Sequence, residues 1–183
     1  MNRQEAFELV CASASKGNLV KHMLACEAAM RRLAERLGGD PDEWGLAGLL
    51  HDLDYDQTEK DFPRHALLTA KILEEKGVET RIIQAVRAHP NHPGYPPVEA
   101  MDKALHAVDG LTGLIVAAAL MHPEKKLKAL DTEFVVRRFG EKRFAAGANR
   151  EQIKTCESLG LSLDEFVQIT LKAMQEESEA LGR

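Results

Sequence analysis

The sequence predicts an all-α protein. Apolar residues recur at intervals of three and four along most of the 183-residue chain, which is the spacing of one face of a helix. Glycine, proline and aspartate interrupt this pattern at short intervals and mark the ends of successive helices. No segment shows the sustained alternation of polar and apolar residues that is typical of a half-buried strand. We therefore expect a bundle of helices.

The first predicted helix is long and amphipathic, and it follows Asn18, whose residue type favours the N-cap position. It carries His22 in its first turns and ends at the glycine pair 38–39. Asp40, followed by a proline, is a suitable N-cap for the next helix. That helix ends near His51, so the His-Asp dipeptide at 51–52 is expected at a helix C-terminus.

Pro63 predicts the start of a third helix, which carries His65 and ends at Gly77. A fourth helix is expected from about Glu79 to His89, where the following proline stops it. Each of these helices would thus contribute one histidine.

Residues 91–97 contain three prolines and a glycine, which predicts a loop. A long helix from about Val98 to Met121 follows and carries His106 and Asp109. The rest of the chain predicts three helices, the last starting at Ser162 with Glu165 completing a capping box. The breaks between them fall at three glycines: Gly140, Gly147 and Gly160.

The length predicts one domain over residues 1–183, with a metal-binding core at about 15–120 and a helical extension at about 121–183. Twenty-four Lys and Arg against 29 Asp and Glu give a net charge of -5, which argues against a nucleic-acid polymer as partner. A dimer through the C-terminal helices is an open expectation.

The three cysteines predict neither a disulfide framework nor a thiolate zinc site, because they are odd in number and form no C-x-x-C pair. A reducing cytoplasm fits this usage. The longest apolar run, Leu111 to Met121, is far shorter than the roughly 20 residues of a membrane span. We therefore expect a cytoplasmic protein without a membrane partner.

Histidine and aspartate recur near the predicted helix ends, and these are the candidate chemical groups. Nitrogen and carboxylate donors together suit Fe, Mn, Zn or similar divalent metals. In an adjacent His-Asp pair the imidazole can hold one metal, while the carboxylate bridges to a second ion about 3.5 to 4 Å away. The candidates are His22, His51, Asp52, His65, His89 and Asp109.

The ordered set resembles the HD-domain superfamily of metal-dependent phosphohydrolases over roughly residues 15–120. One departure is that His51-Asp52 is followed by Leu53-Asp54, where the HDIG variant has Ile-Gly. The segments that carry the resemblance are Lys21-His22, Gly48-Leu49-Leu50-His51-Asp52, Pro63-Arg64-His65, Ala88-His89 and Ala107-Val108-Asp109.

The resemblance implies a helical bundle with a metal site between helices. It also implies two divalent transition metals per chain, of Fe, Mn, Zn or a similar element. Asp52 would bridge them. The superfamily's minimal metal set corresponds to His22, His51, Asp52 and Asp109, and the positions that supply a second metal correspond to His65 and His89.

The function implied is hydrolysis of a small phosphate ester, possible substrates including nucleotides, by a hydroxide held between the metals. Lys21 and Arg64, each beside a ligand, are candidates for holding the phosphate, although either could face solvent instead. His106, one turn before Asp109, is a candidate general acid or donor to a ligand, and alternatively a core histidine bonded to a backbone carbonyl.

Two other functions stay open from the sequence. The same donor set also resembles that of HD-domain mixed-valent di-iron oxygenases. A helical module that binds a metal or nucleotide without turnover is the third possibility.

Overall fold

The computed structural model describes residues 1–182, and the regular elements in this range are all helical. The all-α prediction is confirmed. Three short 3₁₀ turns lie at Phe62–Arg64, Leu127–Ala129 and Thr155–Leu159. The α-helices in chain order are α1 (Arg3–Ser13), α2 (Gly17–Leu37), α3 (Pro41–Leu50), α4 (Tyr55–Thr58), α5 (Leu67–Glu75), α6 (Thr80–Ala88), α7 (Ala100–Met121), α8 (Thr132–Gly140), α9 (Arg150–Lys154), α10 (Leu163–Glu176) and α11 (Ser178–Leu181).

One hydrophobic core joins the N-terminal and C-terminal helices. Helix α2 packs against α3, α7 and α10, and α7 also packs against α6, α8 and α9. Met23, Leu50, Leu111 and Phe166 come from four of these helices and are all fully buried. The C-terminal extension therefore shares its core with the segment that carries the histidines.

Helix α7 is long and apolar enough to cross a membrane by length and composition alone. In the fold, 61% of its most apolar 18-residue window is buried against the other helices. This burial is typical of the central helix of a packed domain.

The predicted start of α3 is confirmed by its cap. The Asp40 side chain accepts hydrogen bonds from the backbone N–H groups of Asp42 and Glu43, and Pro41 occupies the first turn. The predicted cap of α2 is wrong, because α2 begins at Gly17 and Asn18 already lies inside its first turn. This places the Asn18 side chain on the wall of a cavity described below.

The predicted helix from Pro63 to Gly77 is wrong at its start. His65 has an extended backbone with ψ 141°, and Ala66 is left-handed with φ 65°, so the chain turns before α5 begins at Leu67. His65 therefore lies in a connection. The Asp54 carboxylate accepts the N–H groups of Ala66 and Thr69, which would otherwise lack partners at the start of α5.

The ends of the chain are only partly as predicted. Helix α1 was not predicted, although Asn2 and Glu5 form a capping box at its start. The Ser162 hydroxyl accepts the Glu165 N–H as expected, but the Glu165 carboxylate binds Arg36, so the predicted capping box is only half formed. Residues 141–149 form an irregular segment between α8 and α9, and α11 adds a helical turn after α10.

Gly48 lets α3 approach α2 closely, and we expect its replacement to destabilise the fold. A Cβ at Gly48 would lie 2.6 Å from the backbone oxygen of Cys26 and 2.9 Å from the backbone nitrogen of Glu27. Overpacking of this kind costs about 1 to 3 kcal/mol. Gly48→Ala should lower the free energy of unfolding by about that amount in urea titrations.

Gly113→Ala on α7 is the matched control for Gly48→Ala. Its Cβ would meet no atom within 4 Å, and alanine favours a helix over glycine by about 1 kcal/mol. The control should therefore be as stable as the unmodified protein or slightly more stable. Equal stability of the two variants would contradict the importance of the close approach at Gly48.

Candidate metal centre

Six predicted donor residues come together in the fold, and they are supplied by five different parts of the chain. Helix α2 supplies His22, the end of α3 supplies His51 and Asp52, and α7 supplies Asp109. His65 comes from the connection before α5, and His89 follows the last residue of α6. Four of the six, His51, Asp52, His65 and His89, are buried.

One oxygen of Asp52 faces two histidines, and Asp109 faces the same two histidines. Asp52 Oδ2 lies 3.6 Å from His22 Nε2 and 3.5 Å from His51 Nε2. Asp109 Oδ1 lies 3.1 Å from His22 Nε2 and 3.8 Å from His51 Nε2. The two Nε2 atoms are 3.2 Å apart. We call these three side chains, with Asp52 Oδ2, the first half of the cluster.

The other oxygen of Asp52 faces the remaining two histidines. Asp52 Oδ1 lies 3.3 Å from His65 Nε2 and 3.6 Å from His89 Nε2, and these two nitrogens are 3.1 Å apart. We call this group the second half of the cluster. The Asp52 carboxylate thus connects the two halves.

The Nδ1 atom of each histidine points away from the cluster to an oxygen that can accept its proton. His51 Nδ1 lies 2.8 Å from the Gly48 carbonyl, and His89 Nδ1 lies 2.7 Å from the Val86 carbonyl. His65 Nδ1 lies 2.9 Å from Asp54 Oδ1. His22 Nδ1 lies 3.2 Å from the Thr112 hydroxyl, which itself donates to the Asp109 carbonyl.

These contacts fit a metal. A proton on Nδ1 leaves the Nε2 lone pair of each neutral ring free and aimed into the cluster. Metal–nitrogen bonds are about 2.0 to 2.1 Å, so two imidazoles on one ion have nitrogens roughly 3 to 3.5 Å apart. The separations of 3.2 and 3.1 Å in the two halves meet this condition.

The pKa values of both carboxylates in the cluster are held below their usual values, which favours the ionised form. Burial would raise the pKa of Asp52, but the charge of His51 and the hydrogen bonds of His65 and His89 outweigh it and hold that pKa well below its usual value. Burial likewise opposes ionisation of Asp109, yet His22 and His51 lower its pKa.

The pKa values of His65 and His89 shift in opposite directions. Burial lowers the pKa of His65, but its bonds to Asp52 and Asp54 outweigh burial and raise it to about 9. Burial lowers the pKa of His89, and its contact with Asp52 does not compensate. A metal must therefore displace protons from part of the cluster when it binds.

A cavity of about 720 Å³ opens onto the cluster. Its walls combine the donors His22, Asp52, His65, His89 and Asp109 with aromatic, amide and small side chains. The two aromatic residues on the wall, Tyr55 and Phe62, are partly exposed. A ligand in the cavity would therefore contact both the donors and an aromatic surface.

The sequence model of the HD domain matches residues 19–114, which is more than half of the chain. The chain belongs to the HD-domain family. The predicted resemblance is thereby confirmed, and it places the chain in a superfamily that consists generally of metal-dependent phosphohydrolases. All six donors lie within the matched segment, with His22 near its start and Asp109 near its end.

The chain is also similar to several proteins named ribonuclease Y. The relative from Nitratidesulfovibrio vulgaris strain DP4 is 32% identical over 137 residues, which cover 73% of this chain and 26% of the relative. The relative from Desulfotalea psychrophila is 28% identical over 137 residues, with the same coverage of 73% and 26%. The chain thus spans about a quarter of the length of these relatives.

The other predicted site residues of the HD domain lie outside the donor cluster. Arg64 is exposed and faces Asp61, and Lys21 lies on a smaller cavity of about 250 Å³ beside His22. His106 is buried, and its Nδ1 donates to the His89 carbonyl at 2.6 Å. His106 therefore makes the bond to a backbone carbonyl that was the alternative to a role as general acid.

The sequence analysis missed several residues that line the large cavity or lie close to the donors. Lys16 is the lysine on the wall of the large cavity, and Asn149 and Gln152 reach this wall from the C-terminal extension. The buried Cys26 places its sulfur within 4.8 Å of donor atoms of His22, His51 and Asp109. Only the spacing of Cys26, four residues after His22 on the same helix, was a signal in the sequence.

Proposed function

We propose that the protein hydrolyses a small phosphate ester, with nucleotides among the candidate substrates, at a centre of two divalent metal ions. The observation that carries this proposal is that the two oxygens of the Asp52 carboxylate face different pairs of histidines. Oδ2 faces His22 and His51, and Oδ1 faces His65 and His89. A carboxylate placed between two groups of histidines is suited to bridge two ions.

Each half of the cluster would hold one of the two ions. His22, His51 and Asp109 would hold the first ion, His65 and His89 the second, and Asp52 both. Divalent ions held there would supply Lewis acidity, which lowers the pKa of water toward neutrality and offsets charge on phosphoryl oxygens. Tyr55 and Phe62 offer a surface for a planar group of the substrate.

The charge of the cavity wall supports a small substrate with little charge. Outside the histidines, the wall carries one lysine, Lys16, against three carboxylates, which are Asp52, Asp56 and Asp109. A nucleic-acid polymer needs several cations along its path. Two divalent ions and Lys16 would instead leave a modest positive charge, which suits a single phosphate group.

Hydrolysis of RNA phosphodiesters is a second candidate, and the relatives favour it because they are named ribonuclease Y. Their match covers only about a quarter of their length. A nuclease would have to bind the polymer through surfaces beyond the wall of this cavity. We rank this activity below hydrolysis of a small ester for that reason.

A comparison of substrates tests the proposal. We expect protein loaded with Mn²⁺ or Fe²⁺ to release phosphate from a panel of nucleoside monophosphates and other small phosphate monoesters, and to leave a labelled single-stranded RNA intact. EDTA should abolish phosphate release, and added Mn²⁺ should restore it.

Other outcomes of this comparison would favour other functions. Metal-dependent cleavage of the RNA without release from small esters would favour the ribonuclease candidate. Oxygen consumption by the iron-loaded protein without phosphate release would favour an oxygenase. Full metal binding with neither reaction would favour a binding module.

A further inference from the structure

Asp54 is a fully buried carboxylate beside the second half of the cluster. Its Oδ1 accepts the Nδ1 proton of His65 at 2.9 Å and the Ala66 N–H at 3.2 Å. The Thr58 hydroxyl contacts the same oxygen at 3.3 Å. Its Oδ2 accepts the Thr69 N–H at 3.0 Å. All of these donors come from the segment that shapes the chain around His65.

Asp54 distinguishes His65 from the other three histidines of the cluster. Their Nδ1 protons are accepted by neutral oxygens, which are the carbonyls of Gly48 and Val86 and the hydroxyl of Thr112. Only His65, among these four, has a carboxylate in this position. A carboxylate makes a stronger hydrogen bond and increases the basicity of the opposite ring nitrogen.

The backbone at His65 gives this contact a further role. His65 lies outside any helix, between a 3₁₀ turn and the left-handed Ala66, so helical geometry does not orient its ring. Asp54 holds both the ring, through Nδ1, and the following backbone, through Ala66 and Thr69. The orientation of His65 Nε2 toward Asp52 therefore depends on Asp54.

We propose that Asp54 is a positioning residue for His65 and selectively strengthens binding of the second metal ion. This inference rests on the proposed two-ion function. Asparagine cannot replace the carboxylate, because Asp54 accepts hydrogen bonds on both oxygens. An amide NH₂ would face either the His65 or the Thr69 donor, and two donors would then oppose each other.

The test compares Asp54→Asn with the unmodified protein by calorimetric titration with Mn²⁺ and by electron paramagnetic resonance. We expect the unmodified protein to bind two ions and to show a spin-coupled spectrum. Asp54→Asn should bind the first ion with unchanged affinity and the second 10- to 100-fold more weakly, as is typical when a partner of a ligand is lost. At one Mn²⁺ per chain its spectrum should be the six-line signal of an isolated ion.

Thr69→Val is the matched structural control. The Thr69 hydroxyl accepts the Asp54 N–H at 3.0 Å, so this variant perturbs the same buried segment but leaves the carboxylate on His65. It should unfold at a lower temperature and still bind both ions normally. Equal weakening of the second ion in both variants would show a merely structural effect and overturn the proposal.

Two further results separate the inference from the proposed function. If Asp54→Asn binds two ions as tightly as the unmodified protein, the role of Asp54 is wrong and the two-ion centre stands. If the unmodified protein binds only one ion, the two-ion function fails, and the inference fails with it.

A measurement on the unmodified protein covers the case in which Asp54→Asn does not fold. In Zn²⁺-loaded protein with ¹⁵N-labelled histidine, the Nδ1 proton of His65 should resonate further downfield than those of His22, His51 and His89. A His65 proton at the same position as the other three would overturn the proposal.

Discussion

Asp52→Ala is expected to lower phosphate release about 1,000-fold or more and to reduce bound metal from two ions per chain to less than one. Asp52 is the donor shared by both halves of the cluster, with one oxygen toward each. Its loss would remove one ligand from each ion of the proposed centre and leave four imidazoles and Asp109. Stabilisation of the transition state by metal ions is worth several kcal/mol, and each factor of ten in rate is about 1.4 kcal/mol.

Metal content by elemental analysis and initial rates on the same samples would check this prediction. Asp61→Ala is the matched control, because Asp61 lies on the same segment, is half-buried, and its side chain contacts Arg64 only weakly, at 3.5 Å. It should retain both ions and full activity. Circular dichroism should show the same helical content in both variants.

Loss of the metal without loss of activity, or retention of both ions, would contradict the proposed two-ion mechanism. Asp52→Ala protein that has lost its metal but turns over at the normal rate would show that the reaction does not need the ions. Asp52→Ala protein that keeps both ions would show that the carboxylate is not the bridge.

The donor set could be predicted from the sequence because each donor sits in a local pattern. His51-Asp52 follows an apolar helix with a clear start at Asp40, and Asp109 lies on the long apolar helix α7. The order of these segments matches the family, which brings the donors together without any knowledge of distances. The all-α fold follows from the same helical spacing.

Features that depend on contacts between distant segments could not be predicted. Asp54 controls the chain at His65 through hydrogen bonds across 11 to 15 residues, so the helix predicted from Pro63 begins instead at Leu67. Asn149 reaches the cavity because residues 141–149 fold back toward α7. Neither contact produces a pattern in the local spacing of apolar residues, so neither could be predicted from it.

His89→Asn is expected to remove one of two ions and to lower phosphate release about 100-fold or more. His89 Nε2 lies 3.1 Å from His65 Nε2 and 3.6 Å from Asp52 Oδ1, which places it in the second half of the cluster. The first half keeps His22, His51, Asp109 and one oxygen of Asp52. One ion should therefore remain, which elemental analysis can count.

His92→Asn is the matched control for His89→Asn, since His92 donates from Nε2 to the His65 carbonyl and faces no other donor of the cluster. It should keep two ions and lose little activity.

His51→Asn should also leave one ion, in this case the one in the second half of the cluster. The double variant His51→Asn/His89→Asn should bind neither ion. If His89→Asn instead keeps the metal content of the unmodified protein, the second half of the cluster is not a metal site. The active centre would then be mononuclear, with His22, His51, Asp52 and Asp109 as its ligands.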